Sequence, residues 1–377
     1  MTTLIGFDGK RAVMNYTGIG NYSRLALESI LPLMPDAHFN LYTPRRRENP
    51  RMAALERSPR VSIVTPDTLA GRLMPHLWRS RTLCGKLRRD KPDLYHGLSN
   101  ELPWGIERTG IPSVVTIHDL IFMRHPEFYH RADVEICTRK FRYAAKAADR
   151  VIAISQRTAD DLRELFDIPE EKIRIVYQGC SPIFSRPASP EAIEENRRIY
   201  GRYIIGVGTI ESRKNQLLSL RALALLPKDI NLVLIGRRTA YADKIQAEAR
   251  RLGLSDRLYM VSGVDMTEIP ALYAGAELAA YPSFYEGFGI PMLEALASGV
   301  PLVAATGSCL EEAGGPGAIY VDPNSPEQFA DAASRIIASP ILKEEMTARG
   351  RQYITRFAPE KFGRGLVDVY NELLPQK

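Results

Sequence analysis

The stretch YEGFGIPMLEALASGVP, residues 285–301, sets Glu286 and Glu294 apart by seven residues, across a glycine loop and a proline. AAYPS before it reads as a strand, FYEGFG as a loop, and IPMLEALAS as a helix with Pro291 in its first turn and Gly299 as its stop. Glu286 then stands in the loop and Glu294 about one turn inside the helix. An ionised carboxylate only accepts hydrogen bonds, and its two oxygens suit a pair of neighbouring hydroxyls. Two carboxylates at different depths suit two vicinal diols in one ligand. A nucleotide sugar has both, on its ribose and on its transferable sugar. A capping glutamate plus a surface glutamate fits less well, because Glu294 is set among Met292, Leu293, Ala295, Leu296 and Ala297.

A second group follows the run YIIGVG as TIESRKNQLL. Strand, glycine and a helix beginning near Asn215 make a turn whose free N–H groups can face an anion. Arg213 and Lys214 at that helix start oppose the helix dipole unless something negative sits between them, which favours a diphosphate over a solvated basic pair. The first helix opens similarly, in NYTGIGNYSRLALESI: Gly18 and Gly20 permit close backbone approach, and Asn21 could cap the helix. An ordinary tight turn explains this pair nearly as well. It does not match the dinucleotide fingerprint, since Ser23 holds the last glycine position. Of six histidines, His96 in DLYHG and His118 in VVTIHDL sit at strand ends. His96 reads as structural, whereas His118, followed by Asp119, could hydrogen-bond a sugar hydroxyl or, as a satisfied loop histidine, simply cap the strand.

These residues need strands to carry them. Short apolar runs alternate with longer helical stretches. LIGFD, HFNLYTP, RVSIVTP, DLYHG, SVVTIHD, RVIAIS and KIRIVYQG make one series of strands; YIIGVG, NLVLIG, LYMVSG, LAAYPS, PLVAAT and AIYVD make a second. Helices are expected at 21–33 and 156–166, a linker at 183–200, and an almost wholly helical tail from 326 to 374. Two α/β domains with parallel sheets covered on both faces result, and ligands of such sheets bind outside the carboxyl ends of the strands.

At 377 residues the chain suits two domains, and 45% apolar with 25% charged residues is a soluble globular composition. No leader opens the chain and no apolar run is long enough to span a bilayer. Cys84, Cys137, Cys180 and Cys309 are scattered without CxxC spacing, which suits a reducing, cytoplasmic compartment. The net charge of +6 is uneven: residues 45–91 alone hold 13 basic and 4 acidic residues. Such a zone could attract an anionic membrane or an anionic, lipid-linked substrate as readily as it could be a solvated face. Nucleic acid is a poorer partner, because no binding motif or interleaved aromatics accompany the charge.

YPSFYEGFGIPMLEALASGVPLVAA resembles the Glu-x7-Glu signature of the retaining family 4 glycosyltransferases, which have the two-domain GT-B fold. TGIGNYSRLAL, DLYHG, VVTIHDL, VIAISQRTADDL, VGTIESRKNQ, LVLIGR and VSGVDMTEIPALYAGAELAAYPS extend the likeness in order along the chain. The resemblance implies that Glu294 binds the ribose hydroxyls and Glu286 those of the donor sugar. Phe288 and Gly289 would offer backbone N–H groups, and Val264 would touch the base through its backbone. Arg213 and Lys214 would neutralise the diphosphate, with the turn at Gly18 and Gly20 closing over it, and His118 would reach the sugar near the reacting carbon. Thr209 stands where many members have Arg. The implied domains are 1–195 for the acceptor, with 358–377 returning to it, and 196–357 for the donor.

The expectation is therefore a retaining hexosyltransferase of two Rossmann-like domains facing a cleft, active in surface polysaccharide or glycolipid synthesis. It would use no metal, since no Asp-x-Asp is present, and no cofactor beyond the donor. GDP-mannose is the first expectation for the donor and a UDP-hexose the next; the acceptor is a saccharide or lipid-linked. The alternatives are a GT-B epimerase or phosphorylase, or a two-lobed solute-binding protein that binds without turnover. Residues 45–91 would give a cytoplasmic protein peripheral contact with the inner face of the membrane.

Overall fold

Each of the thirteen apolar runs is a strand in the computed structural model, which describes residues 3–375. The first series is β1 (Thr3–Asp8), β2 (Ala37–Tyr42), β3 (Val61–Val64), β4 (Leu94–Gly97), β5 (Ser113–Ile117), β6 (Arg150–Ala153) and β7 (Ile173–Ile175). It forms one sheet in the order β3-β2-β1-β4-β5-β6-β7, parallel throughout. The second series is β8 (Arg202–Val207), β9 (Ile230–Ile235), β10 (Leu258–Val261), β11 (Leu278–Tyr281), β12 (Leu302–Ala305) and β13 (Ala318–Val321). Its order is β10-β9-β8-β11-β12-β13, again parallel throughout. Central β5, β11 and β12 are buried at every residue, while the edge strands β3 and β10 are only partly covered. That is the signature of sheets flanked by helices on both faces.

Both sheets reverse their winding, between β1 and β4 in the first and between β8 and β11 in the second. At such a switch point adjacent connections diverge to opposite faces and leave a crevice above the carboxyl ends of the two strands. Contacts divide the chain into one unit of Met1–Gly179 with Pro359–Lys377 and another of Cys180–Ala358. Residues 180–195, expected with the first domain, group with the second, where the Phe184 ring meets Tyr273 edge-on at 6.2 Å between centroids.

Two local expectations are corrected. The helix expected to enter at Asn21 begins three residues earlier and spans Gly18–Ile30. Both glycines lie inside its first turn. A Cβ on Gly20 would fall 2.1 Å from the Asn15 carbonyl oxygen, so this glycine serves close packing against the preceding loop. Asn21 faces sideways and accepts from Arg24 at 2.6 Å and Arg51 at 3.3 Å. The expected linker at 183–200 holds a helix, Pro190–Tyr200, started by Pro190 at its first position and by Ser189, whose hydroxyl accepts from the Ala192 N–H at 3.3 Å.

The helix Pro359–Asn371 belongs to the first unit, and its attachment there is polar as well as apolar. The Tyr370 hydroxyl meets His96 Nδ1 at 2.7 Å, His96 Nε2 meets Thr116 Oγ1 at 2.9 Å, and Thr116 Oγ1 meets the Tyr22 hydroxyl at 3.1 Å. Both ring nitrogens of fully buried His96 are thereby used, and burial, with His118 nearby, lowers its pKa to about 3. Tyr370→Phe would strand the Nδ1 atom. The expected cost is about 1–3 kcal/mol, read from urea unfolding of the full chain; an unchanged midpoint would show that this contact adds nothing to the attachment.

Candidate active site

In the second unit the residues singled out by type converge on the β8–β11 switch point. The connection after β8 carries Thr209, Glu211, Arg213 and Lys214, and turns through Asn215, at φ 53°, into the helix Gln216–Leu223. The connection after β11 carries Tyr285, Glu286 and Phe288, and turns through Gly289, at φ 114°, into the helix Ile290–Ala297. A Cβ at Gly289 would also press on Leu310 at 3.2 Å, so the entry to this helix is reserved for glycine. Asn215 ties the two connections together, donating to the carbonyls of Pro282 at 3.1 Å and Pro323 at 2.8 Å.

The negative group needed between Arg213 and Lys214 is present in the protein itself. Glu286 Oε2 lies 2.8 Å from Arg213 Nη1, and Oε1 lies 2.6 Å from Lys214 Nζ. Arg213 is further held by Glu211 at 2.8 Å and by the Tyr285 carbonyl at 2.7 Å. Lys214 donates to the Tyr281 hydroxyl at 2.8 Å and lies 4.8 Å from the centroid of that ring. Burial alone would raise the pKa of Glu286; the two cations outweigh it and bring the carboxyl down to about 2. Arg213 is raised in turn, because Glu286 and Glu211 offset its burial. Glu286 is thus an oriented acceptor, ionised at neutral pH.

Glu294 is the opposite case. It lies in the fifth position of its helix, half-buried, and among the described residues no hydrogen bond or ion pair engages its carboxyl. Burial raises its pKa to about 7, only partly countered by Lys214. Its charge in turn helps raise the buried Cys180 thiol and the Tyr273 hydroxyl. A carboxyl held in such surroundings without a protein partner is energetically unsatisfied and suited to a ligand.

Phe288 is fixed by its buried ring, edge-on to Phe357 at 5.4 Å, and by its carbonyl, which accepts from the Cys309 thiol at 3.1 Å. The same thiol meets the Glu286 carbonyl at 3.0 Å. The first N–H groups of the helix Ile290–Ala297 have no acceptor within the helix. Val264 lies in the loop after β10, partly exposed, next to Gly263 at φ 80°. At Thr209 the carbonyl accepts from the Gln216 amide at 3.0 Å, so backbone and a neutral side chain occupy the place of the family's arginine.

His118, Gly18 and Gly20 belong to the first unit. His118 follows β5 and is buried, with its backbone N–H on Asn100 Oδ1 at 2.7 Å and Nε2 2.9 Å from the Leu98 carbonyl. Donation to that carbonyl makes Nε2 the protonated nitrogen and leaves Nδ1 an acceptor. The Tyr22 ring stands edge-on, 4.5 Å away between centroids. Burial brings the pKa of His118 to about 4, so it is neutral at pH 7.

The sequence reading did not assign roles to Glu211, Tyr281 or Cys309. Glu211 was legible as the acid two residues before Arg213; nothing local marks Tyr281 or Cys309, whose roles come from neighbouring strands. Among the described residues no group of three or more His, Cys, Asp or Glu is placed to hold a metal ion, and no helix is long and apolar enough to cross a membrane.

Two family profiles match successive parts of the chain: Glycosyltransferase Family 4 over residues 37–182 and Glycosyl transferases group 1 over residues 191–353. With the two all-parallel sheets, these define the class: a glycosyltransferase of the GT-B fold. Among its relatives are the O-antigen chain mannosyltransferase B of Escherichia coli, 28% identical over 76% of each chain, and a D-inositol 3-phosphate glycosyltransferase of Thermobispora bispora, 26% identical over 76% of this chain and 71% of that one. Similar solved structures include Anabaena HepE in complex with UDP and glucose, with a TM-score of 0.75, 20% identity and coverage of 99% of this chain and 100% of that one. WaaG, a glycosyltransferase involved in lipopolysaccharide biosynthesis, has a TM-score of 0.70, 16% identity and coverage of 97% and 99%.

Proposed function

We propose that the protein moves a hexose, with retention at the anomeric carbon, from a nucleotide diphosphate sugar to a saccharide or lipid-linked acceptor in surface polysaccharide or glycolipid synthesis. The observation that carries this reading is the pair of unlike carboxylates at the β8–β11 switch point. Glu294, unpartnered, takes the ribose diol, and Glu286, ionised and oriented, takes hydroxyls of the donor sugar. The backbone of Phe288 and Gly289 adds N–H groups, Val264 meets the base, and Arg213 and Lys214 supply the cationic charge for the diphosphate.

Breaking the anomeric bond leaves positive charge on the sugar and negative charge on the diphosphate. Cations already fixed in place lower that barrier by an electrostatic contribution on the order of several kcal/mol. Glu286 holds those cations before the donor arrives and faces the sugar as its positive charge develops. The first unit takes the acceptor; its neutral His118 receives a hydroxyl proton at Nδ1 in a hydrogen bond and is no acid at pH 7. The backbone at Gly18 and Gly20 serves the diphosphate. The reading needs neither metal nor cofactor, since the fixed cations do the metal's work.

GDP-mannose remains the first donor to try, favoured by the mannosyltransferase relative; the UDP complex of HepE supports a UDP-hexose as the second. A panel of nucleotides and nucleotide sugars, with and without EDTA, should raise the melting temperature selectively for one base, equally in EDTA, and not in Glu294→Ala. Stabilisation by none of them in folded protein would sink the donor site; stabilisation abolished by EDTA would sink its metal independence.

A further inference from the structure

The Cys309 thiol is fully buried, and it reaches across from one strand end to the next. Cys309 follows β12 and opens the short helix Leu310–Gly314, where its carbonyl accepts from the N–H groups of Glu312 at 3.1 Å and Ala313 at 3.2 Å. From that fixed backbone Sγ stands 3.0 Å from the Glu286 carbonyl oxygen and 3.1 Å from that of Phe288, in the loop after the neighbouring strand β11. Burial, with Glu286 and Glu312 nearby, raises the thiol well above its ordinary pKa, so the proton stays on sulfur at neutral pH. One S–H is therefore shared between two carbonyls of the same loop.

Those two contacts fix more than the carbonyls. In a trans peptide the C=O and the following N–H point in opposite directions, and no described peptide bond is cis. With the Glu286 and Phe288 oxygens both turned to Cys309, the N–H groups of Gly287 and Gly289 are both turned to the opposite side of the loop. Both glycines are buried, and among the described residues no acceptor meets either N–H. Buried amide donors without an acceptor are rare in folded proteins, because each forfeits its hydrogen bond to water. The first of the two directly follows Glu286, whose carboxylate is the ionised acceptor of the site.

We propose that Cys309 is a positioning residue for the donor sugar, aiming the Gly287 and Gly289 N–H groups at hydroxyl oxygens whose protons Glu286 accepts. This role rests on the donor-sugar contact proposed for Glu286 and extends it to the backbone beside that carboxylate. A sugar hydroxyl has one proton to give and lone pairs that receive. An ionised carboxylate only accepts, so Glu286 meets half of that capacity, and N–H groups beside it meet the other half. A site holding both counterparts discriminates against a ligand that lacks the hydroxyl, since its donors and acceptor are then left buried and unpaired. A free nucleoside diphosphate carries no such sugar and gains nothing from the alignment. The work of Cys309 therefore shows only when the sugar is present.

Titration calorimetry of GDP against GDP-mannose, and of UDP against UDP-glucose, tests this on the full chain as wild type, Cys309→Ala and Cys309→Ser. Cys309→Ala should weaken binding of the nucleotide sugar about tenfold, the worth of one lost hydrogen bond, and leave the free nucleotide unaffected. Cys309→Ser keeps a donor at the same place and should restore most of that loss, which a packing role alone would not give. Without ligand, hydrogen exchange over residues 285–290 should be faster in Cys309→Ala than in wild type or Cys309→Ser. An alanine variant that binds the nucleotide sugar as wild type does, or exchanges no faster, would overturn the role of Cys309. So would equal losses for nucleotide and nucleotide sugar, or a serine variant no better than alanine. Wild type that binds none of the four ligands would overturn the donor reading itself and this role with it, a result separate from any of those.

Discussion

Arg213→Ala should unfold more easily than wild type by about 3 kcal/mol, the low end for breaking a buried ion pair, because Lys214 remains on Glu286. The same change should cut kcat/KM for transfer by about 10²–10³-fold, the loss seen when one preorganised charge-stabilising donor is removed. The two effects have different origins and can be separated. Adding Glu286→Gln removes the half-compensated carboxylate but takes the ion partner from Lys214, so Arg213→Ala/Glu286→Gln should regain only part of the stability and none of the activity. Urea unfolding of the two variants, with turnover measured on the same samples, reads both. Recovery of activity in the double variant would mean that Arg213 serves only to hold the loop. The pH dependence follows from the depressed carboxyl: folded near 2 and unfolded near 4.5, Glu286 contributes stability that is complete above about 4.5 and is lost as pH falls toward 2.

Glu294→Gln should do the reverse at neutral pH. The carboxyl titrates near 7 in the folded protein against about 4.5 unfolded, so both states are protonated at pH 4 and burial costs nothing there. As pH rises from about 4.5 to 7 the unfolded state gives up this proton while the folded state keeps it, so stability falls across that window and levels off above 7. The penalty then approaches about 1–3 kcal/mol, discounted for the solvent that reaches this half-buried side chain. The glutamine variant should therefore melt higher than wild type at pH 8 and no higher at pH 4. It should also bind the donor nucleotide at least about tenfold more weakly, having exchanged an acceptor pair for an amide. A lower melting temperature at both pH values would show a carboxyl engaged in structure, contrary to the unsatisfied group described above. Stability surrendered for a ligand is the usual economy of a binding site.

The strands were legible because each is an apolar run bounded by turn residues, and the alternation with helices followed from parallel pairing. The two glutamates were legible because one lies in a glycine loop and the other on an apolar helix. What local sequence does not contain is partnership across the sheet. Nothing near Arg213 announces that Glu286, seventy-odd residues on, neutralises it, or that Tyr281 receives Lys214. The register of neighbouring strands decides both. The start of the helix at Gly18 was missed for a related reason: glycines normally mark turns, but Gly20 is required by the carbonyl of Asn15 packed upon it. In the basic stretch, charge counts do not distinguish Arg79, folded inward, from Arg81, left outside.

The return of the last helix to the first unit makes the second unit an insertion. The chain leaves the first unit once, after Gly179, and re-enters once, at Pro359. The two junctions lie side by side: the Cys180 N–H donates to the Phe357 carbonyl at 3.0 Å, and Gly179 packs on the backbone of Pro359. Residues 180–358 are thus a cassette whose ends meet, the geometry in which one domain can be grafted into another with little strain. A chimaera that exchanges this cassette between relatives keeps the His96–Tyr370 bond and the Arg213–Glu286 pair each within a single parent. A simple fusion of one protein's front half to another's back half would assemble the His96–Tyr370 contact from two different parents. If the second unit binds the donor as proposed, donor preference should travel with this cassette, provided the cut is made twice.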